Sequence, residues 1–204
     1  MKLILCSWSI TQNILKYLNF LCDNKKSVLT IIPSDSKHPK SKIFFNSLVE
    51  KFNSIWIEKI NYYPVDNWIY NENIYKESDI IYLSWWDTDY FIKNIKKNWD
   101  YEMLKKFVDN WWILMWLSAW SIIMTPNINI DNSNEKWLNL TSFEFFPHYT
   151  ENNDDFLIEY SKKCKNLIYS LEDDSSIIVN NKEMYFINSN WIFIYSNWLK
   201  QAII

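Results

Sequence analysis

The 204-residue sequence contains no glycine and no arginine. Each absence is informative. Without glycine, no residue takes φ > 0 at low cost in tight turns or lets a backbone approach closely. Without arginine, no side chain offers a planar fork for bidentate binding of a carboxylate. Every basic residue apart from His38 and His148 is lysine, and the net charge of −3 argues against a nucleic-acid partner. No apolar run approaches the ~18 residues of a membrane span, so no membrane partner is expected. The opening MKLILCSW reads as a strand rather than a signal peptide. Three cysteines, Cys6, Cys22 and Cys164, stand at unrelated spacings, which suggests neither disulfides nor a zinc site. The expected location is a reducing cytoplasm.

What is present is equally unusual. There are 13 tryptophans, about the share that glycine, at roughly 7%, has in ordinary proteins. Their positions are glycine-like. Asn190-Trp191 separates two β-rich runs and Asn197-Trp198 ends the second, where Asn-Gly would signal a hairpin. Trp56 follows the amphipathic stretch KIFFNSLVEKFNSI, and Trp111-Trp112 follows DYEMLKKFVDN, both at helix C′ sites. Trp85-Trp86 closes the strand DIIYLS and opens a helix, where glycine loops cradle anions. These positions read as native glycines. UGA encodes Trp in one variant genetic code and Gly in another, and the abundance of Ile, Lys, Asn, Tyr and Phe is that of AT-rich coding. The alternative is a Trp-rich module that stacks exposed aromatics on sugars.

With 49% hydrophobic and 22% charged residues, the chain can bury a substantial core. One domain is expected over residues 1–204. Short continuous apolar runs predict buried parallel strands at Lys2–Ser7, Ser27–Pro33, Ile57–Tyr63, Asp79–Ser84 and Ile113–Leu117. Between them, helices are expected over Ile10–Cys22, Lys42–Asn53, Asp87–Lys97 and Tyr101–Val108, with another over Asp154–Asn166. Glu183–Asn188 and Ile192–Ser196 read as an antiparallel hairpin on one edge. The alternation predicts an α/β sandwich of three layers, α/β/α, around a mostly parallel sheet. Its site should lie at the carboxyl ends of the strands.

Chemistry concentrates in ILMWLSAWSIIM. With Trp116 and Trp120 read as glycine, it becomes Gly-x-Ser-x-Gly, a strand-to-helix elbow that exposes the Ser118 hydroxyl. The elbow aims the amide of Ala119 at a developing oxyanion. Read without that exchange, Ser118 is an ordinary helix N-cap. A serine nucleophile needs a base, and His148, in SFEFFPHYTEN, is the better candidate than His38 in the polar turn SDSKHPKSK. The intervening segment offers Asp131, or less favourably Glu135, as the orienting acid. Glu144 is the outsider, since strand alternation points it elsewhere.

Three segments together carry a family resemblance: S-W-W-D-T at Ser84–Thr88, W-L-S-A-W at Trp116–Trp120 and P-H-Y at Pro147–Tyr149. In order and spacing, with Trp read as Gly, they resemble the dipeptidase E (α-aspartyl dipeptidase) family of serine peptidases, which includes cyanophycinase. The resemblance implies a fold like class I glutamine amidotransferases, with Ser118 as nucleophile and His148 as base, then acid. It also implies an oxyanion hole of the amides of Trp86 and Ala119, and substrate contacts at Trp85, Asp87 and Thr88. Aspartyl dipeptidases carry an arginine after the histidine. Here Lys162 or Lys163 is the nearest cation, a point charge rather than a fork.

The expectation is therefore a cytoplasmic serine peptidase hydrolysing small peptides, Asp-X dipeptides among them, through an acyl-enzyme. No metal or cofactor is expected, and the chain is expected to be a monomer or homodimer. The alternative within the same fold is a catalytically silent relative that binds a ligand in the same pocket.

Overall fold

The computed structural model describes residues 1–33, 35–67, 70–84, 88–97, 100–110, 112–126, 138–189 and 191–203. Along the chain the elements are β1 (Lys2–Cys6), α1 (Gln12–Leu21), β2 (Ser27–Pro33), α2 (Ser41–Phe52), β3 (Ile57–Tyr62), α3 (Glu72–Glu77), β4 (Ile80–Ser84), α4 (Thr88–Lys97), α5 (Asp100–Asp109) and β5 (Ile113–Leu117). Then come β6 (Glu144–Phe146), α6 (Asp154–Ser161), β7 (Ile168–Leu171), β8 (Ser176–Asn180), β9 (Glu183–Ile187), β10 (Ile192–Ser196) and β11 (Leu199–Ala202). The fold class is α/β. Among the described residues no helix is long and apolar enough to cross a membrane.

The chain groups into two compact units. The first comprises Met1–Ile4, Thr11–Trp116 and Val179–Met184. It holds β2, β3 and β4 whole and most of β5, in a seven-stranded sheet of order β3-β2-β4-β5-β1-β8-β9. In that sheet β2 runs parallel to β3 and β4, and β4 runs parallel to β5. Leu3, Ile4, Ile31, Ile32, Ile80 to Leu83, Leu114 and Met115 are all buried. Consecutive residues are buried because both faces of a parallel sheet are covered, so the strands read as unbroken apolar runs rather than alternating ones. Each of the five strands expected there forms within one residue of its expected bounds.

Helix α1 starts at Gln12 rather than Ile10 because Thr11 caps it, accepting from the Ile14 amide at 3.4 Å. Helix α3 was not expected. Asn71 caps it through the Asn73 amide, but at six residues it is too short to show helical periodicity.

The second unit comprises Leu5–Ile10, Leu117–Ile178 and Tyr185–Ile204. Its own sheet has the order β11-β10-β7-β6, with β6 parallel to β7 and β10 antiparallel to both β7 and β11. Beneath this sheet Tyr149, Leu157, Ile168 and Tyr195 form a buried cluster, packed by Phe146, Ile158, Tyr160, Cys164 and Phe193.

Residues 183–188 and 192–196 do not pair. β9 lies on the edge of the large sheet, whereas β10 pairs with β7 and with β11, so the C-terminal hairpin is β10–β11. Helix α6 stops at Ser161 rather than Asn166. The Asn166 side chain instead donates to the Glu144 carboxylate at 2.8 Å, satisfying an acid that is wholly buried.

The tryptophans divide. Trp198 follows Asn197 in the two-residue turn between Ser196 and Leu199, and both turn residues have positive φ, 46° and 77°. That is the type I′ geometry in which Asn-Gly is favoured. Trp56 does not occupy a helix C′ site, because α2 ends at Phe52 with Asn53 as its C-cap, and its ring is exposed. Trp8 and Trp191 are also exposed, whereas Trp116 is buried edge-on to Phe91 at 5.2 Å. Trp111 lies outside the described residues.

Candidate active site

Three side chains of the second unit, each following the carboxyl end of a strand, converge. Ser118 follows β5 and begins a 3-10 turn over Ser118–Met124, where a helix was expected. That turn closes with Thr125, whose amide and hydroxyl both donate to the Ile122 carbonyl. Inside it the Ser121 hydroxyl donates to the Cys6 carbonyl at 3.1 Å. Ser118 itself has φ of 67°, left-handed for a residue with a Cβ. Such strain costs on the order of 1–2 kcal/mol and clusters at functional sites. It is the conformation an elbow needs to hold a hydroxyl clear of the chain.

His148 follows β6 by way of Pro147, which cannot donate to a strand ladder and so ends it. His148 is also left-handed, with φ of 56°. Its Nε2 lies 2.5 Å from Ser118 Oγ. Its Nδ1 lies 2.6 Å from Oδ1 of Asp173, in the turn between β7 and β8. An ionised carboxylate can only accept, so Nδ1 carries the proton and Nε2 is left to accept from the serine hydroxyl. That is the tautomer a general base requires. The Trp8 ring lies edge-on to the imidazole, centroids 5.2 Å apart.

The turn bearing the acid is tied down. Asp174, at φ 63°, accepts from the Ser9 hydroxyl at 2.5 Å, and its carbonyl accepts from Asn188 Nδ2 at 3.3 Å. On the neighbouring strand end, the Tyr149 amide donates to the Leu171 carbonyl at 3.0 Å. Tyr149 also anchors the histidine segment. Its hydroxyl donates to Asp154 at 2.7 Å, and Lys200 bridges Tyr149 and Asp154 at 2.8 and 2.6 Å. Burial pulls the Asp154 carboxyl upward, but hydrogen bonds from Lys200, Tyr195 and Tyr149 outweigh it and hold the group below its ordinary value.

Burial pushes the thiols of Cys6, Cys22 and Cys164 above the ordinary thiol value, which disfavours the nucleophilic thiolate at each.

Of the residues expected from sequence, Ser118 and His148 come together. Asp131, Glu135, Trp85, Trp86 and Asp87 lie outside the described residues. Thr88 begins α4 and Ala119 lies in the 3-10 turn after Ser118. Lys162 sits at the end of α6, paired with Glu159 and 3.9 Å over the Trp198 ring. Glu144 faces Asn166 and Cys164. The acid on His148 is Asp173, which sequence reasoning missed. Its signal was present, three acidic residues at a break between the apolar runs IYSL and SIIV.

Residues 3–187 match the profile of peptidase family S51. The chain belongs to peptidase family S51. As a member of that family it is a serine-type peptidase. The fold is also seen in solved structures. A protein of Listeria monocytogenes EGD-e described as a peptidase E is similar with a TM-score of 0.70 at 16% identity, covering 91% of this chain and 97% of that one. A peptidase from an acI-B1 Actinobacterium is similar with a TM-score of 0.67 at 13% identity, covering 99% of this chain and 93% of that one. No curated protein matches the sequence.

Proposed function

We propose that Ser118, His148 and Asp173 are a catalytic triad with which this S51 peptidase hydrolyses small peptides. The observation that carries this reading is the continuous line of two hydrogen bonds from Ser118 Oγ through the imidazole to Asp173. In the reaction His148 Nε2 takes the Ser118 proton as Oγ attacks the scissile carbonyl. Asp173 stabilises the imidazolium that forms. The amide of Ala119, in the turn after Ser118, donates to the oxyanion, and His148 then returns its proton to the leaving amine. Water repeats the cycle on the acyl-enzyme. Neither a metal nor an organic cofactor has a role in these steps.

The substrate class proposed is small peptides, Asp-X dipeptides among them, met by a lysine point charge rather than a guanidinium fork. Location in the cytoplasm belongs to the same reading. We also propose that native glycine stands at most or all of the tryptophan positions, supported by the left-handed Asn197-Trp198 turn. Intact mass of the native protein tests this, and a mass equal to that of the written sequence overturns it. Glycine at 85, 86, 116 and 120 should restore more activity than glycine at the other nine positions.

Fluorophosphonate labelling tests the nucleophile. The folded protein should be labelled at Ser118, and Ser118→Ala should abolish labelling. Equal labelling of both proteins, or none of the wild type, overturns the reading. A panel of Asp-X and other dipeptides then ranks substrates by kcat/KM.

A further inference from the structure

We infer that Ser7 is a positioning residue that sets the backbone of the catalytic base and couples it to the strand leading to the acid. The inference rests on the triad reading above. Ser7 follows β1 and its side chain is wholly buried. Its Oγ accepts from the His148 amide at 2.8 Å and donates to the Leu171 carbonyl at 3.3 Å. Its own amide donates to the Ser175 carbonyl at 2.8 Å. One residue thus ties the base-bearing loop to both sides of the turn that carries Asp173.

The hydroxyl is matched to that task. A group between a backbone N–H and a backbone C=O must accept on one side and donate on the other, which a hydroxyl does and a methyl, thiol or carboxylate does not do equally well. His148 needs the support because its left-handed φ of 56° is uphill for a residue with a Cβ. A strained backbone persists only where its surroundings over-determine it. The Ser7 bond fixes the His148 amide, and the Leu171 carbonyl, two residues before Asp173, accepts from both Ser7 and Tyr149. Replacing Ser7 with an apolar residue leaves the His148 amide unpaired and frees the loop to relax out of the left-handed region. The ring then swings out of line with Ser118 and Asp173, although no group that touches substrate has changed. Small misplacements of this kind are costly in rate.

The test uses the full chain, in the form, with tryptophan or glycine, that the intact mass of the native protein gives. Ser7→Ala should lower the fluorophosphonate labelling rate and kcat by about tenfold to a hundredfold, the rate equivalent of one orphaned buried donor, with KM little changed. Ser7→Thr, which keeps the hydroxyl, should restore most of the loss. The chain has only two histidines, so His38 serves as internal control in the NMR spectrum. The downfield Nδ1–H signal of His148 should be sharp in the wild type and broadened or lost in Ser7→Ala. A folded Ser7→Ala protein with wild-type labelling and an unchanged Nδ1–H signal overturns the inference. If Ser7→Ala does not fold, hydrogen exchange of the wild-type His148 amide decides. Slow exchange supports the Ser7 bond, and exchange as fast as in an open loop overturns it. Loss of the triad reading would be seen separately, as equal labelling of wild type and Ser118→Ala.

Discussion

Oδ1 of Asp173 lies 2.6 Å from Nδ1 of His148, on the side of the ring away from Ser118. The Asp173 side chain is 58% exposed, so the contact gains little from a dry surrounding and acts by orientation more than by charge. Replacing it with the isosteric amide should therefore damage chemistry without damaging the fold. An amide NH₂ aimed at Nδ1 favours the opposite tautomer, which leaves a proton on Nε2 where an acceptor is needed. Asp173→Asn should lower kcat/KM by roughly a hundredfold to ten-thousandfold with an unchanged melting temperature. Asp131→Asn should change it by no more than about threefold. The reverse ranking, measured on the same dipeptide, would return the acid to the segment after the elbow.

The left-handed Ser118 makes a second, separable prediction. At φ 67° a Cβ is penalised and glycine is not. Ser118→Gly and Ser118→Ala both lose the nucleophile, but only alanine keeps the strain. Denaturant unfolding should find Ser118→Gly more stable than Ser118→Ala by about 1 kcal/mol. Equal stabilities would mean that the elbow is not strained.

Much of this was legible in the sequence, for reasons that differ by element. Strands such as Ile80–Ser84 and Ile113–Leu117 are buried on both faces, and a continuous apolar run survives any uncertainty about register. Ser118 and His148 stood out because nucleophile and base chemistry restrict residue type, and the chain has only two histidines. Asp173 did not stand out, because it shares its turn with Glu172 and Asp174, and a run of acids reads as a solvated bend. What selects it is the position of His148 in three dimensions. Pairing of β10 with β7 rather than β9 was hidden for the same reason, since short sequence separation favours a hairpin and only sheet topology overrules it.

The turn at Asn197-Trp198 sets two effects against each other. Both residues are left-handed, and relieving Trp198 of its Cβ there is worth about 1–2 kcal/mol. Its ring, itself largely exposed, also carries the Lys162 ammonium at 3.9 Å, a cation–π contact worth about 0.5–1 kcal/mol. Backbone relief is the larger. Trp198→Gly should stabilise the protein by up to about 1 kcal/mol in denaturant melts, and a destabilised variant would show that the ring contact dominates.

A buried carboxyl in the first unit gives a pH signature of its own. Asp100 is wholly buried and accepts from the Tyr75 and Tyr63 hydroxyls at 2.6 and 3.2 Å. Burial pushes its carboxyl up to about 6, against the opposing pull of those two hydrogen bonds. For an acid whose folded value lies above its unfolded one, the folded state holds the proton longer. The group then contributes nothing below about pH 4, where both states are protonated. From there to about pH 6 the unfolded chain ionises first and stability falls. Above that the loss levels off, on the order of 3 kcal/mol in all. Asp100→Asn does not titrate. Its stability should track the wild type below pH 4 and exceed it progressively up to about pH 6, because an uncharged amide still accepts from both tyrosines without a buried charge. Urea melts of the two proteins across that range decide the matter. Parallel stability curves would mean that Asp100 ionises as easily inside the fold as outside it.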